Sequence, residues 1–453
     1  MLAPETLTLA EAKVPRYTSY PTAPHFTPNV GAARLHRWLA NVDDTHAVSV
    51  YAHVPFCKQL CWYCGCNTSI AAKYEPVHHY LETLIREIAQ ARRIVGRSLR
   101  AGHVHLGGGT PNALSASDFA ALARALRAAF RFDGETQFDV ELDPRTLDSE
   151  MVCALKAAGV GRVNLGIQDF DPKVQRAINR EQPFELVAEK LAALRGAGIA
   201  HVGMDLIYGL PHQTEETLRA TIDQAAELGA ERVALFGYAH VPWMKPHQKL
   251  LEPEGLPDTH ARWALASAAQ ARLADRGYAR IGIDHFAYPD DEMALAQREG
   301  HLRRNFQGYT TDTSDTLLGF GPSAISAFAE GYAQNHPRLD AWRQAVEAGE
   351  IPVARGCVLD GEDRLRRAVI ERLMCDLEAD LDRLCRAYGT RTPAPNHFAG
   401  ELARLEAMAK DDLVRVEGAV LRVPEAARPF VRVVASVFDE YLEAGHAKHS
   451  VAV

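Results

Sequence analysis

From about residue 47 onward, short β-rich runs alternate with longer amphipathic segments, and this alternation limits the folds open to the chain more than any other feature. The runs AVSVYAHV (47–54), HVHL (103–106), QFDVEL (137–142), RVNLGI (162–167), HVGMDLI (201–207), RVALFGY (232–238) and ARIGID (279–284) read as strands. Between them, YLETLIREIAQ places Leu81, Leu84, Ile85 and Ile88 on one helical face, and SDFAALARALRAAF does the same with Phe119, Leu122, Leu126 and Phe130. Ser115, Ser117 and Asp118 are N-cap candidates for the second helix. Regular alternation predicts right-handed βα units and a parallel sheet, curled wholly or partly into a barrel. At 453 residues the chain has room for one such domain of about 250 to 350 residues and a smaller appendage.

The two ends depart from that rhythm. PRYTSYPTAPHF, near the front, is rich in aromatics and proline without periodicity and reads as an ordered lid over the barrel mouth. Past about residue 360, EDRLRRAVIERLMCDLEADLDRLCRAY is strongly helical, LVRVEGAVLRV predicts a hairpin turning at Glu417 and Gly418, and RPFVRVVASVFDEYL a last helix. That order resembles a winged-helix module. Its acidic and basic residues nearly balance, so a DNA-binding footprint is missing, and a substrate cover or packing domain is the expectation. The expected division is a lid over 1–35, a barrel over 36–360 and a mostly helical, winged-helix-like domain over 361–453.

Charge and hydropathy narrow the partners. The 58 acidic residues outnumber the 50 basic ones, and no long block of like charge stands out, which argues against nucleic acid or an anionic membrane. The N-terminus lacks a basic stretch followed by an apolar run, and no stretch of about 18 apolar residues occurs. A cytoplasmic protein acting on small molecules, without membrane or nucleic-acid partner, is expected.

Four of the eight cysteines crowd into CKQLCWYCGC (57–66), at C-x3-C-x2-C-x-C. Cys153, Cys357, Cys375 and Cys385 are scattered and read as buried small hydrophobes, so the layout is not a disulfide framework. Structural zinc usually takes ligands as two separated pairs, and no second pair exists. A four-thiolate electron-transfer cluster normally draws one ligand from a distant segment. A third arrangement uses Cys57, Cys61 and Cys64 on three corners of a [4Fe-4S] cube, leaving one iron open and Cys66 a non-ligand. The aromatic before the last of those three cysteines is a specific signal for it. Farther on, HLGGGTP follows the second strand, where three glycines permit close backbone approach and Thr110 adds a polar contact. At the carboxyl ends of later strands stand Glu141, Gln168, Asp205, Tyr238 with Ala239, and Asp284 with His285, on the face where such barrels build their sites.

The cysteine loop resembles that of the radical S-adenosylmethionine (SAM) superfamily. More closely, YAHVPFCKQLCWYCGCN, LGGGTPN, VNLGIQDF, VQRAINREQ, DLIYGLPHQT, DHFAYPDDE, NFQGYTT and PRYTSYPT are similar to the oxygen-independent coproporphyrinogen III oxidase (dehydrogenase) family, from about residue 13 to the last helix. The resemblance implies a partial (β/α)6-type radical SAM barrel and a [4Fe-4S] cluster whose open iron is chelated by SAM. It further implies a 5′-deoxyadenosyl radical that starts the conversion of two propionates of coproporphyrinogen III to vinyls, with loss of two CO2. Carried over by motif, Tyr51, Gly108, Glu141 and Ile325 would contact the cluster-bound SAM. Tyr63, Gly109, Thr110, Gln168, Arg180, Asp205 and Ala239 would contact a second SAM. Tyr63 stands where phenylalanine is often found and keeps a stacking aromatic. Tyr51, Cys66 and Gln307 are candidates beside the reaction, and His53 reads as structural. For a substrate with four carboxylates, Lys13, Arg16, Tyr17, Tyr20, Arg303 and Arg304 are the candidate partners by charge and hydrogen bonding. The resemblance also implies a reducing partner such as a flavodoxin system and a monomeric enzyme. The rival readings are a haem chaperone of the same branch, or a methyltransferase or cyclopropanase. Cys66, PRYTSYPT and NFQGYTT favour the dehydrogenase.

Overall fold

Valine- and leucine-rich strands buried on both faces pair in parallel and need helical crossovers to return the chain. Six of the expected strands do this: β1 Val48–Val54, β2 Leu99–Gly108, β3 Gln137–Leu142, β4 Arg162–Gln168, β5 His201–Tyr208 and β6 Arg232–Gly237. They lie side by side in that order in the structure, a computed structural model that describes residues 9–444. The crossovers are α1 Glu75–Val95, α2 Ala116–Ala129, α3 Ser149–Ala158, α4 Phe184–Gly196 and α5 Glu215–Glu227, with α6 Thr259–Asp275 following β6. Ser115 is the cap of α2, accepting from the Asp118 amide at 3.2 Å. Glycine at φ +74° (Gly96) ends α1, as a left-handed C-terminal residue must.

The seventh expected strand is shorter than its sequence promised. Only β7, Ala279–Ile281, is extended, and it pairs antiparallel with β8, His285–Ala287, which is itself antiparallel to β6. The chain turns at Gly282, φ +53°, where an added Cβ would lie 1.9 Å from the Tyr309 ring. On the far edge, β9 Leu317–Phe320 pairs parallel to β1, and β10 Ile325–Phe328, β11 Gly331–Asn335 and β12 Val353–Val358 continue as an antiparallel meander. The βα rhythm thus stops near residue 275 rather than 360. Connections of a few residues can join only antiparallel neighbours. The pairing runs as an open path from β7 to β12, so the barrel is partial.

After Asp360, which caps it through a reciprocal box with Asp363, a helix runs Gly361–Asp376. The strand Glu378–Asp380, helices Leu381–Ala387 and Ala399–Ala409, and the hairpin Arg415–Glu417 with Val420–Arg422 follow. The first of these strands pairs with the last, a wing sheet of three strands, whose first strand is too short to show in the sequence pattern. The single last helix expected over RPFVRVVASVFDEYL is broken: short α-helices Val431–Ala435 and Glu440–Ala444 are separated by a 3-10 turn, Ser436–Phe438. The N-terminal segment is stitched to this part. Arg432 donates to the Pro15 carbonyl at 2.9 Å and Tyr17 to Asp439 at 3.0 Å, while Arg16 reaches the Gly237 carbonyl at 3.1 Å. Residues 1–8 of the expected lid lie outside the described residues, as do 445–453. Position 35/36 falls inside a helix, Ala32–Ala40, whose Leu35, Trp38 and Leu39 join the main core. Among the described residues no helix is long and apolar enough to cross a membrane.

Candidate active site

The cysteine loop leaves the carboxyl end of β1 and is held by side chains that satisfy its backbone. Gln248 donates to the Tyr63 carbonyl at 2.9 Å, Lys245 to that of Cys66 at 2.6 Å and Asn179 to that of Leu60 at 2.8 Å, and the Trp62 amide donates to Ile178 at 3.0 Å. With the backbone engaged, the thiols are left for ligation, and all four are free cysteines. The glycine run of β2 slides beneath the loop. Gly109 donates to the Val54 carbonyl at 2.8 Å, and a Cβ on it would sit 2.5 Å from the Phe56 carbonyl oxygen. Gly108, at φ +121°, turns its amide to Glu141 Oε2 at 3.2 Å. The glycines therefore make room for the loop and for Glu141 as much as for any ligand. Thr110 uses its hydroxyl inside the protein, on Asn112 and on the Asp143 amide.

Cys57, Cys61, Cys64 and Cys66 line one cavity of about 160 Å³ with Tyr63, Gly108, Gly109 and Thr110. Glu141, Gln168, Arg180 and Asp205 complete it from the strand ends. Four candidates lie elsewhere. Tyr51 is on β1, its hydroxyl 3.0 Å from His53 Nδ1 and its ring stacked on His105 at 5.8 Å; His53 in turn meets the Asn67 carbonyl at 2.9 Å, a structural role. Ala239 lines a larger chamber described below. Ile325 packs beside Phe26, Tyr332 and Leu359, and Gln307 sits in a turn with its amide on Asn305 Oδ1; neither lines the thiol pocket.

Sequence reading named Arg180 but missed its partners in the charged frame of this pocket, Asp143 and Arg145. Asp143 pairs with Arg145 at 2.7 Å and with Arg180 at 3.4 Å, and both guanidiniums point at Cys61 Sγ, at 3.6 and 3.5 Å. Burial opposes ionisation of Asp143, but the two arginines outweigh it and hold its carboxyl below the ordinary range. Asp143 and Arg145 stand just past Glu141 in ELDPRT, so the strand-end rule could have found them. Burial likewise works against Glu141, yet its bond to His105 Nε2 at 2.9 Å and that from the Gly108 amide keep it below the usual carboxylate value. Asp205 goes the other way: burial, partly offset by a hydrogen bond from Asn164, pushes it up to about 6.

The donor set fits an iron–sulfur cluster. Three soft thiols share one cavity wall facing two cations, and buried Arg145 Nη1 and Arg180 Nε have no protein partner there.

Beside the pocket lies a chamber of about 450 Å³. Tyr63 from the pocket and Tyr238 from the chamber belong to one apolar cluster with Ile178, Ile207 and Leu251. Lys13, Arg16, Arg262, Arg280 and Arg432 line the chamber, with Asp284 at its floor. Burial and then the neighbouring Arg428 lower Arg280 to about 10, and burial with Arg16 and Arg304 lowers Arg432 to about 9, the mark of crowded cations. Of the six residues expected to meet substrate carboxylates, only Lys13 and Arg16 are here. Tyr17 is bonded to Asp439, Tyr20 accepts from the Glu440 amide, Arg303 pairs with Glu371 at 3.2 Å and Arg304 with Asp284 at 3.9 Å. Arg262, Arg280 and Arg432 carry no local motif, and only folding assembles them. Of the scattered cysteines, Cys375 and Cys385 are buried as expected and Cys357 half-buried, but Cys153 is exposed on α3, where the polar face of the helix turns it to solvent.

The model of the radical SAM superfamily matches residues 51–225. Over all 453 residues, and the whole of the relative, the chain is 45% identical to the oxygen-independent coproporphyrinogen III oxidase of Bradyrhizobium diazoefficiens. It is 38% identical to that of Escherichia coli, across 94% of this chain and 93% of the relative. The solved structure of the Escherichia coli coproporphyrinogen III oxidase, described as a radical SAM enzyme, matches with a TM-score of 0.90 at 36% identity, covering 95% of this chain and 100% of that one. A [4Fe-4S] cluster and SAM are characteristic of that superfamily, and the thiol pocket is built for them. By identity along its full length, by fold and by the chemistry of its pocket, the chain belongs to the oxygen-independent coproporphyrinogen III oxidases of the radical SAM superfamily.

Proposed function

We propose that the chain converts two propionate side chains of coproporphyrinogen III to vinyls without oxygen, giving protoporphyrinogen IX. The observation that carries this reading is the thiol-lined pocket framed by Asp143, Arg145 and Arg180, together with a second chamber lined by Lys13, Arg16, Arg262, Arg280 and Arg432. Cys57, Cys61 and Cys64 would hold the cluster, which with bound SAM supplies one electron and, by cleavage of SAM, a carbon radical able to take an unactivated hydrogen. Glu141, fixed by His105 and the Gly108 amide, presents an ionised carboxylate suited to the ribose hydroxyls or ammonium of SAM, alongside Tyr51, Gly108 and Ile325. Arg180 suits the carboxylate of a second SAM, with Tyr63, Gly109, Thr110, Gln168 and Asp205 lining the same pocket, and Ala239 of the neighbouring chamber assigned to it by motif alone. Cys66 and Gln307 stay candidates near the reacting groups.

In the chamber, the buried Arg432 and the half-buried Arg16, Arg262 and Arg280 would meet the substrate carboxylates with more force than fully exposed charges could. This local field must outweigh a net charge of −8. Each propionate loses one hydrogen from the carbon beside the macrocycle, then CO2, and the electron left over passes to an acceptor; two rounds use two SAM. The N-terminal segment, bonded to β6 and to the C-terminal part, forms one side of the chamber through Ala10, Lys13 and Arg16. We further propose the three-part division at 1–35, 36–360 and 361–453, a monomer in the cytoplasm, and a low-potential donor such as a flavodoxin system. An anaerobic assay with reconstituted cluster, SAM, reductant and coproporphyrinogen III should release CO2 and form the divinyl product. Absence of vinyl product would sink the reading.

A further inference from the structure

Inside the sheet, away from the cysteine loop, β2 carries His103 and His105 two residues apart and hence on one face. Asp139 of β3 stands opposite His105 in register. One ligand atom from each of the three lies within 4.8 Å of the other two. His103 Nε2 is 2.9 Å from Asp139 Oδ2, and the three side chains are 15%, 17% and 19% exposed for His103, His105 and Asp139.

What lies behind each imidazole points to a metal. His105 Nε2 meets Glu141 Oε1 at 2.9 Å; with that nitrogen donating, Nδ1 is the acceptor of the ring. Asp312, oriented by the Ser49 hydroxyl, faces His103 Nδ1 at 3.8 Å, which leaves Nε2 beside Asp139 to share a ligand with it. A carboxylate behind each imidazole is the arrangement that fixes histidine tautomers at metal centres. The local charge also calls for a cation. Asp139, Glu141 and Asp312 crowd the site, while nearby Arg162 and Arg232 are paired with Glu231 and Asp291.

We propose that His103, His105 and Asp139 bind one divalent first-row transition ion of the zinc class, with open positions for water, separate from the cluster cysteines. Two imidazoles and one carboxylate suit Zn2+ or Co2+ better than the oxygen-seeking Mg2+ or Ca2+. Through His105 the ion would stiffen Glu141 at the neighbouring pocket. The reading does not rest on the substrate.

The test is metal counting on the full chain with its cluster reconstituted, followed by equilibrium dialysis against Zn2+ and by Co2+ absorption. One Zn2+ per chain beyond the cluster iron is expected, with affinity falling at least about 10-fold in His103→Gln and in Asp139→Asn. Asp139→Glu, which keeps a carboxylate, should recover part of the uptake, so loss by misfolding is told apart from loss of a ligand. A Cys57→Ser, Cys61→Ser, Cys64→Ser triple variant should keep its Zn2+. No stoichiometric uptake, or uptake unaltered by His103→Gln and Asp139→Asn, overturns the proposal, as does uptake that disappears with the three cysteines.

Discussion

Cys57 and Cys66 sit nine positions apart on one loop and should behave differently when each becomes serine. Cys57→Ser removes one of three soft donors, and the expected outcome is loss of iron–sulfur absorption and of turnover. Cys66→Ser should assemble the cluster with altered activity; iron and sulfide counts on both proteins decide the matter. Gly109→Ala tests the floor beneath them. Its methyl would lie 2.5 Å from the Phe56 carbonyl, and relief must come from shifting the loop, a strain of about 1–3 kcal/mol. SAM affinity, measured by equilibrium binding, should fall about 10- to 100-fold; unchanged affinity would mean the loop tolerates the shift. The glycines were legible in GGGTP, but their main work is to admit Glu141 and the Phe56 carbonyl, which are protein groups no spacing rule could name.

At the scale of elements, α1 is tied to the antiparallel edge by one buried carboxylate. Glu87 accepts from the Gly321 amide at 2.8 Å, from Asn335 at 2.6 Å and from the Trp342 indole at 3.0 Å. Burial pushes it up to about 7 despite those donors. Because the folded value exceeds the unfolded one of 4.5, its favourable contribution is complete below the unfolded value and is lost as pH rises through about 7. The loss approaches about 3 kcal/mol in alkali. Glu87→Gln has no such ionisation, so its stability relative to the parent should improve between pH 5 and pH 8.5. Denaturant midpoints of the two proteins across that range are the measurement, and parallel profiles would refute the role. The parallel strands and their helices were readable because burial on two faces and the helical period are local. Of the edge strands, β7 was legible, though overlong, in ARIGID; β8 to β12 were not, being three to six residues long and too short to display a clear alternation.

Across the whole molecule, the chamber draws its cations from three remote stretches of chain. Arg16 comes from the N-terminal segment, Arg262 and Arg280 from the barrel, and Arg432 from the C-terminal part. Arg16→Ala and Arg280→Ala should each raise the KM for coproporphyrinogen III about 10-fold, while SAM cleavage in the absence of substrate stays as it was, since neither residue lines the thiol pocket. Equal loss of both activities would show that the chamber wall supports the pocket instead of the substrate. What the sequence determined by itself is short-ranged: three cysteines within eight positions, a glycine run after a strand, and the rhythm of βα units, all set by groups near one another along the chain. What only the tertiary structure decided is the company those groups keep, from the arginines facing Cys61 to the histidines behind Glu141 and the cations of the chamber. Charges act through space, and the burial that gives them their strength exists only once distant segments have packed around them.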